Sequence, residues 1–241
     1  MSAIDLWYVR VAWLDEAGFA ACAGLLSPEE SARCARFAFE RLRQEYLVTR
    51  GLERGVLATY VARRPSELCF SRTELGRPIL ADARGVEFNL TNTNELVACA
   101  VTREREIGVD AEPLSRADQI LGLAPRVFTA HERRQLERLP IAARRRQAVQ
   151  LWTLKEAYIK ARGLGMSLPV ENIEMAIGPG AESPALRVFP PVEDDPARWA
   201  LATVEIEGHL VSTCVELRAD APADAVVRRA DLAELLARHD S

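Results

Sequence analysis

The chain has 241 residues with 31 basic and 35 acidic side chains, a net charge of −4. Hydrophobic residues make up 49% and charged residues 27%, which excludes a disordered or collagen-like chain and leaves room for one large domain or two modest ones with a real core. A slightly acidic total argues against a general nucleic-acid or membrane coat, and no apolar run approaches the roughly 20 residues that span a bilayer.

The start, Met1 to Trp7, has no basic region leading into an apolar one, so no secretory signal is read there. Asp5 to Trp13 alternates like a strand. Ser27-Pro28-Glu29-Glu30 reads as a helix start, with Ser as N-cap, Pro in the first turn and acids beside it. From Ala32 to Val61 apolar residues recur at helical spacing, and Arg63-Arg64-Pro65-Ser66 ends that pattern. Glu74-Leu75-Gly76-Arg77-Pro78 is a turn. Val86–Leu90, a polar turn at Thr91-Asn92-Thr93-Asn94, and Leu96–Val101 form a hairpin pattern. Ile107–Glu112 is a further short strand, ended by Pro113.

Beyond Pro113 the character changes. Ser115 to about Leu139 is helical and polar, and Arg144–Arg162 is the strongest helix, closed by Gly163 and kept from resuming by Pro169. Ile177-Gly178-Pro179-Gly180 is a turn. Trp199–Ile206 and Leu210–Leu217 form a second hairpin across Glu207-Gly208-His209, and Arg228–Arg238 reads as a short peripheral helix. The pattern predicts an α/β fold divided near residue 114 into halves 1–114 and 115–241. Five scattered cysteines without a C-x-x-C pair (Cys22, Cys34, Cys69, Cys99 and Cys214) fit reduced thiols, hence a cytoplasmic protein.

Familiar sites fall away first. Neither G-x-x-x-x-G-K-[ST] nor G-x-G-x-x-G occurs, the three histidines are far apart, and no G-x-S-x-G elbow is present. What remains is a set of carboxylates. Asp110 and Glu112 lie two apart on one strand and share a face, while Val109 and Ala111 point to the other. Two such acids repel unless something positive lies between them, and Mg²⁺ is the hard cation that uses few carboxylates. Taken alone, the pair reads first as an ordinary solvated strand face.

Of the 31 basic residues only Lys155 and Lys160 are lysine, and both flank Glu156. A compact ammonium differs from a guanidinium wherever one oxygen must be met as a point charge. Trp152, Glu156 and Lys160 are spaced i, i+4, i+8 and form one helical stripe. Read blandly, Glu156 and Lys160 are a surface ion pair. With a Trp on the stripe, the face is instead expected to meet protein or ligand. Acids, a cation and lysines together describe phosphoryl chemistry.

Two segments carry a family resemblance. Ile107-Gly108-Val109-Asp110-Ala111-Glu112 resembles the G-[IV]-D-x-E motif of 4′-phosphopantetheinyl transferases. Trp152-Thr153-Leu154-Lys155-Glu156-Ala157-Tyr158-Ile159-Lys160, continuing to Gly163 and Gly165, resembles their W-x-x-K-E-[AS]-x-x-K-x-x-G-x-G motif. Supporting matches are Leu26-Ser27-Pro28-Glu29 with Arg33 and Phe37, Gly76-Arg77-Pro78, Phe88-Asn89-Leu90-Thr91, and Arg126-Val127-Phe128-Thr129 before Glu132. Length resembles the long surfactin-synthetase type, about twice the size of the trimeric holo-acyl-carrier-protein synthase type.

The resemblance implies two similar α/β halves with the active site at their junction, working as a monomer. It implies transfer of the 4′-phosphopantetheine arm of coenzyme A to a serine of an apo acyl or peptidyl carrier protein, releasing adenosine 3′,5′-bisphosphate. Asp110, Glu112 and Glu156 would hold Mg²⁺ on the pyrophosphate. Glu156, directly or through water, would take the serine proton, and Lys160 would steady the phosphate, with Lys155 as a second contact. Arg77, at the family's G-K-P lysine, and Arg50 would meet the adenosine 3′-phosphate, unless both are surface charges. Phe128 belongs either to a carrier-docking surface or to the core. Nucleic acid and membrane are not expected partners, and the carrier pathway (fatty-acid, polyketide or nonribosomal-peptide) is not encoded.

One position departs from the pattern. The family reads F-N-[IL]-S-H-[ST], with a histidine that contacts the coenzyme phosphates, whereas this chain has Phe88-Asn89-Leu90-Thr91-Asn92-Thr93. Thr91 keeps the hydroxyl, and Asn92 can donate a hydrogen bond but never becomes cationic. Two alternatives therefore stay open: a relative that binds carrier or coenzyme A without transfer, and a Mg²⁺-dependent hydrolase of nucleotide pyrophosphates.

Overall fold

The computed structural model describes residues 4–81, 83–93, 95–165, 168–178, 184–219 and 223–237. In the first half, β1 (Ile4–Arg10) leads through a short turn to α1 (Glu16–Gly24), α2 (Pro28–Ala35) and the long α3 (Glu40–Val61). A small hairpin, β2 (Phe70–Arg72) and β3 (Pro78–Leu80), precedes the larger pair β4 (Val86–Thr93) and β5 (Leu96–Arg103). Then come β6 (Ile107–Pro113), α4 (Ala117–Val127), α5 (Ala130–Glu137) and a second long helix, α6 (Ile141–Arg162). The chain ends with β7 (Ile173–Ala176), β8 (Ala185–Val188), β9 (Trp199–Ile206), β10 (His209–Glu216), β11 (Ala225–Arg229) and α7 (Leu232–Ala237).

Two sheets stack with a long helix outside each. The first has the order β11-β1-β5-β4 and the second β6-β10-β9, with β2-β3 and β7-β8 as separate hairpins. Strand alternation builds the layers. In β5, Val97, Cys99 and Val101 face α3, while Leu96, Ala98 and Ala100 face the other sheet. In β6, Ile107, Val109 and Ala111 join that same inter-sheet core with Val211 and Val215 of β10. Each fully buried Val, Leu or Ile side chain there contributes about 1.5–3 kcal/mol. The even-numbered residues of β6 are thereby turned toward α6.

Sheet membership does not follow chain order. β6, before residue 114, pairs with β10 of the second sheet, and β11 returns to lie parallel to β1 of the first. Two long helical stretches break. Residues 32–61 split at Arg36–Phe39, without Gly or Pro to announce it, where the Phe37 ring packs 5.4 Å from Tyr46. Residues 115–139 split at Phe128, because Thr129 caps a new helix by accepting from Glu132 N while the Glu132 carboxylate accepts from Thr129 N. Ser27 and Glu30 form the same reciprocal cap on α2, as the S-P-E-E pattern predicts.

Thr91-Asn92-Thr93 of the expected turn are strand instead, and its Asn94 lies outside the described residues. Thr91 to Thr93 continue β4, and the hairpin closes between Thr93 and Leu96 with Glu95 at φ 73°. The tail is corrected as well: of the expected helix over 228–238, Arg228 and Arg229 end strand β11, Leu232–Ala237 form α7 with Leu232 and Leu235 buried against α3 rather than peripheral, and Arg238 lies outside the described residues. Pro179 and Gly180 of the expected turn lie outside the described residues.

Candidate active site

A glycine decides how close the second long helix comes to the acidic strand. A Cβ on Gly108 would overlap the Ala157 carbonyl oxygen and the Ala161 amide nitrogen, so only glycine lets α6 lie directly across β6. At that distance Lys160 reaches over the strand, donating to Val109 O at 3.1 Å and to Asp110 Oδ1 at 2.7 Å. Gly163, at φ 63°, ends the helix one turn later.

From the other side β4 supplies a row of alternate polar side chains. Asn89 Oδ1 accepts from Val109 N at 3.0 Å, Thr91 Oγ1 donates to Asp110 Oδ1 at 3.2 Å, and Thr93 Oγ1 donates to Glu112 Oε2 at 3.2 Å. The two sheets therefore meet along β4 and β6 through side chains rather than a backbone ladder. Asn89 and Gly108 are the positioning residues that residue-by-residue reading missed. Both stood within quoted motifs, but nothing in a sequence says that residue 89 faces residue 109.

Asp110 and Glu112 are buried, and Glu156 is half-buried. Burial raises the pKa of Asp110 against the pull of Lys160 and Thr91, and raises that of Glu112, where the Asp110 charge adds to it and Arg116 opposes. Glu156 is pushed up to about 7, first by burial and then by the charges of Asp110 and Glu112, against Lys160. The helical acid thus shares its field with the strand pair. Trp152, Glu156 and Lys160 line one cavity of about 510 Å³ together with Arg77, Pro78 and Asn89. A second cavity of about 350 Å³, holding Arg33, Tyr46, Arg50 and Asn92, adjoins it at Pro78 and Asn89.

The remaining expected residues divide. Arg77 borders the first cavity, but its guanidinium is engaged with Ala161 O at 3.3 Å and Glu87 at 3.3 Å, tying the β2–β3 hairpin to the end of α6. Arg50 borders the second cavity, paired with Glu53 and stacked on Tyr46 at 5.6 Å. Asn92 lines that cavity too, with its amide donating to Glu45. Lys155 is a correction. It is fully buried, ion-paired with Glu132 at 2.7 Å, donating to Val127 O and set 5.4 Å over the Phe128 ring. One helical step from Glu156 turns a side chain by about 100°, into the core beneath α5 instead of the cavity. Phe128 is in that core, 1% exposed.

The donor chemistry suits a hard cation. Asp110, Glu112 and Glu156 offer only oxygen, and Asp110 Oδ2 is buried without a hydrogen-bond partner. They do not form a closed cage: among the described residues no group of three His, Cys, Asp or Glu side chains is gathered to hold an ion by itself. Arg116 holds Glu112 and Lys160 holds Asp110 instead. Mg²⁺ ordinarily takes one or two carboxylates and completes its shell with water and phosphate, so the fit rests on these acids together with an anionic ligand.

The model for the 4′-phosphopantetheinyl transferase N-terminal region matches residues 13–104, and that for the 4′-phosphopantetheinyl transferase superfamily matches residues 106–214. The 4′-phosphopantetheinyl transferase HetI of Nostoc sp. is 37% identical over 160 residues, covering 65% of this chain and 67% of the relative. The 4′-phosphopantetheinyl transferase Sfp of Bacillus subtilis is 29% identical over 155 residues, covering 63% of this chain and 66% of the relative. The chain thus spans about two thirds of the length of these relatives. Among solved structures, a holo-(acyl-carrier-protein) synthase from Bacillus anthracis matches with a TM-score of 0.39 and 22% identity, over 46% of this chain and 94% of that one. The chain belongs to the 4′-phosphopantetheinyl transferase family, of the long Sfp type.

Proposed function

We propose that the protein transfers the 4′-phosphopantetheine arm of coenzyme A to a serine of an apo carrier protein in a Mg²⁺-dependent reaction that releases adenosine 3′,5′-bisphosphate. The observation that carries this reading is that Glu156 and Lys160 of α6 line one cavity while Lys160 is bonded to Asp110 of β6 and Glu156 feels the charges of Asp110 and Glu112. Bound there by Asp110, Glu112 and Glu156, Mg²⁺ would offset charge on the pyrophosphate. Glu156, whose pKa lies at about 7, is the group suited to accept the serine proton. Lys160, fixed between Val109 O and Asp110, supplies a point charge for the phosphate being cleaved. The adjoining cavity with Arg33 and Arg50 suits the nucleotide end of coenzyme A. Apo carrier protein domains are the protein partners of this reading.

The test mixes the protein with coenzyme A, Mg²⁺ and a panel of apo carriers and reads their masses. A gain of the phosphopantetheine arm on at least one carrier is expected, and its absence from all, with folded protein, would sink the reading. Glu156→Gln is expected to lower turnover at least 100-fold while leaving the melting temperature equal or higher, since it removes a half-buried charge. Near-normal turnover would remove Glu156 from the chemistry.

Asn92 keeps a second reading in view, a relative that binds coenzyme A without transfer. Its amide is engaged by Glu45, so no histidine-like cation faces the second cavity from that position. Calorimetry showing coenzyme A binding that ignores Mg²⁺, with no carrier modified, would favour it.

A further inference from the structure

Beneath the second cavity lies a carboxylate that the proposed chemistry does not use. Glu53, on α3, is fully buried, and neither of its carboxylate oxygens receives a hydrogen bond. Its close charge partner is Arg50, one helical turn earlier, at 2.5 Å. Arg50 in turn keeps 15% of its side chain exposed at the cavity, lies against the Tyr46 ring and has a buried Nε without a partner. The guanidinium therefore stands between an internal acid and an open space lined by a second arginine, Arg33.

Other groups share this field. Arg54 on the same helix is spent on Glu30 and on the carbonyls of Pro65 and Leu68. Glu30 of α2 adds a negative charge, Arg72 of β2 a positive one, and Cys99 of β5 faces Glu53 from the sheet. None of these gives Glu53 a hydrogen bond. Burial dominates, and Glu53 is pushed up to about 7 despite Arg50.

We propose that Glu53 is the internal counter-charge of Arg50 and takes up a solvent proton when an anionic phosphate settles on that guanidinium, so that phosphate binding and protonation are coupled. Once Arg50 is shared with an anion, the attraction that keeps Glu53 ionised weakens while its burial is unchanged, and the neutral acid wins. No bond other than that between the carboxylate oxygen and the proton is made. Glu53 is a positioning residue and touches no substrate. The inference rests on the reading that this cavity takes a phosphate of coenzyme A.

The experiment is calorimetric titration of coenzyme A into the protein at pH 7 in two phosphate-free buffers of different ionisation enthalpy, for the unaltered chain and for Glu53→Gln. With Glu53 pushed up to about 7 and so partly ionised at that pH, the unaltered protein is expected to take up more protons than the variant, by up to about 0.5. Its affinity should also fall more steeply than the variant's between pH 6 and pH 8. Equal uptake by the two proteins would overturn the coupling while leaving the transferase reading intact. Should Glu53→Gln not fold, difference infrared spectroscopy of the unaltered protein decides, since binding must strengthen the protonated-carboxyl band. If coenzyme A fails to bind but inorganic phosphate binds with the same Glu53-dependent uptake, the transferase reading fails and the coupling stands. If neither anion binds, the coupling is overturned.

Discussion

Gly108 shows how much one missing methyl group can decide. Its Cα lies against the backbone of α6, so Gly108→Ala must push helix and strand apart. Overpacking of this kind costs typically 1–3 kcal/mol, and here it would also draw Lys160 away from Asp110. A melting curve and a coenzyme A titration on the purified variant check both consequences: stability is expected to drop by about 2 kcal/mol and affinity to fall with it. Lys155 poses the opposite case. Lys155→Ala strands the Glu132 charge in the core, and removing one partner of a buried pair costs about 3–5 kcal/mol. The expected result is a large loss in denaturant midpoint, with coenzyme A affinity intact in whatever fraction remains folded. The motif made Lys155 and Lys160 look alike because adjacency in sequence hides direction. Five positions apart on a helix, they leave it about 140° apart.

At the scale of elements, the working unit is β4 laid beside β6. Thr91 and Thr93 each give a hydrogen bond to a carboxylate of the other strand, and bonds to charged groups are worth about 1.5–3 kcal/mol. Thr91→Val is expected to lower turnover more than Thr93→Val, because Asp110 also holds Lys160 whereas Glu112 has Arg116 as an independent partner. Comparison of the two rates at equal folded fraction checks the order. Much of this was legible beforehand. The D-x-E alternation, the i, i+4, i+8 stripe and the Ser27 cap all follow from local geometry, and the structure carries each of them. What was not legible is contact between distant segments. Thr91-Asn92-Thr93 reads as a turn by composition, yet β-branched threonines suit a strand, and pairing with β5 keeps them there.

For the whole molecule, pH is the simplest probe of the buried acids. Glu53 has a folded pKa of about 7 against an ordinary 4.5. Between those values the folded state holds more protons than the unfolded one, so stability is fully present below the lower value and declines as pH rises through 7. Full ionisation of Glu53 would cost up to about 3 kcal/mol. Denaturant midpoints are therefore expected to fall between pH 5 and pH 8 at constant ionic strength, and Glu53→Gln should flatten part of that slope. A midpoint that rises over the same range would contradict the burial argument. The tail is also part of the whole: with β11 beside β1 and α7 on α3, the last described residues close the first sheet and its helix.

The row of side chains joining β4 to β6 has one more implication. No main-chain ladder welds the two sheets there: Asp110, Glu112, Glu156 and Lys160 all belong to the second sheet and its helix, and the first sheet lends only the side chains that steady them. Loosening that seam would leave the charges together but unclamped, so a chain with its first sheet unformed would keep the ingredients of the site and lose their aim.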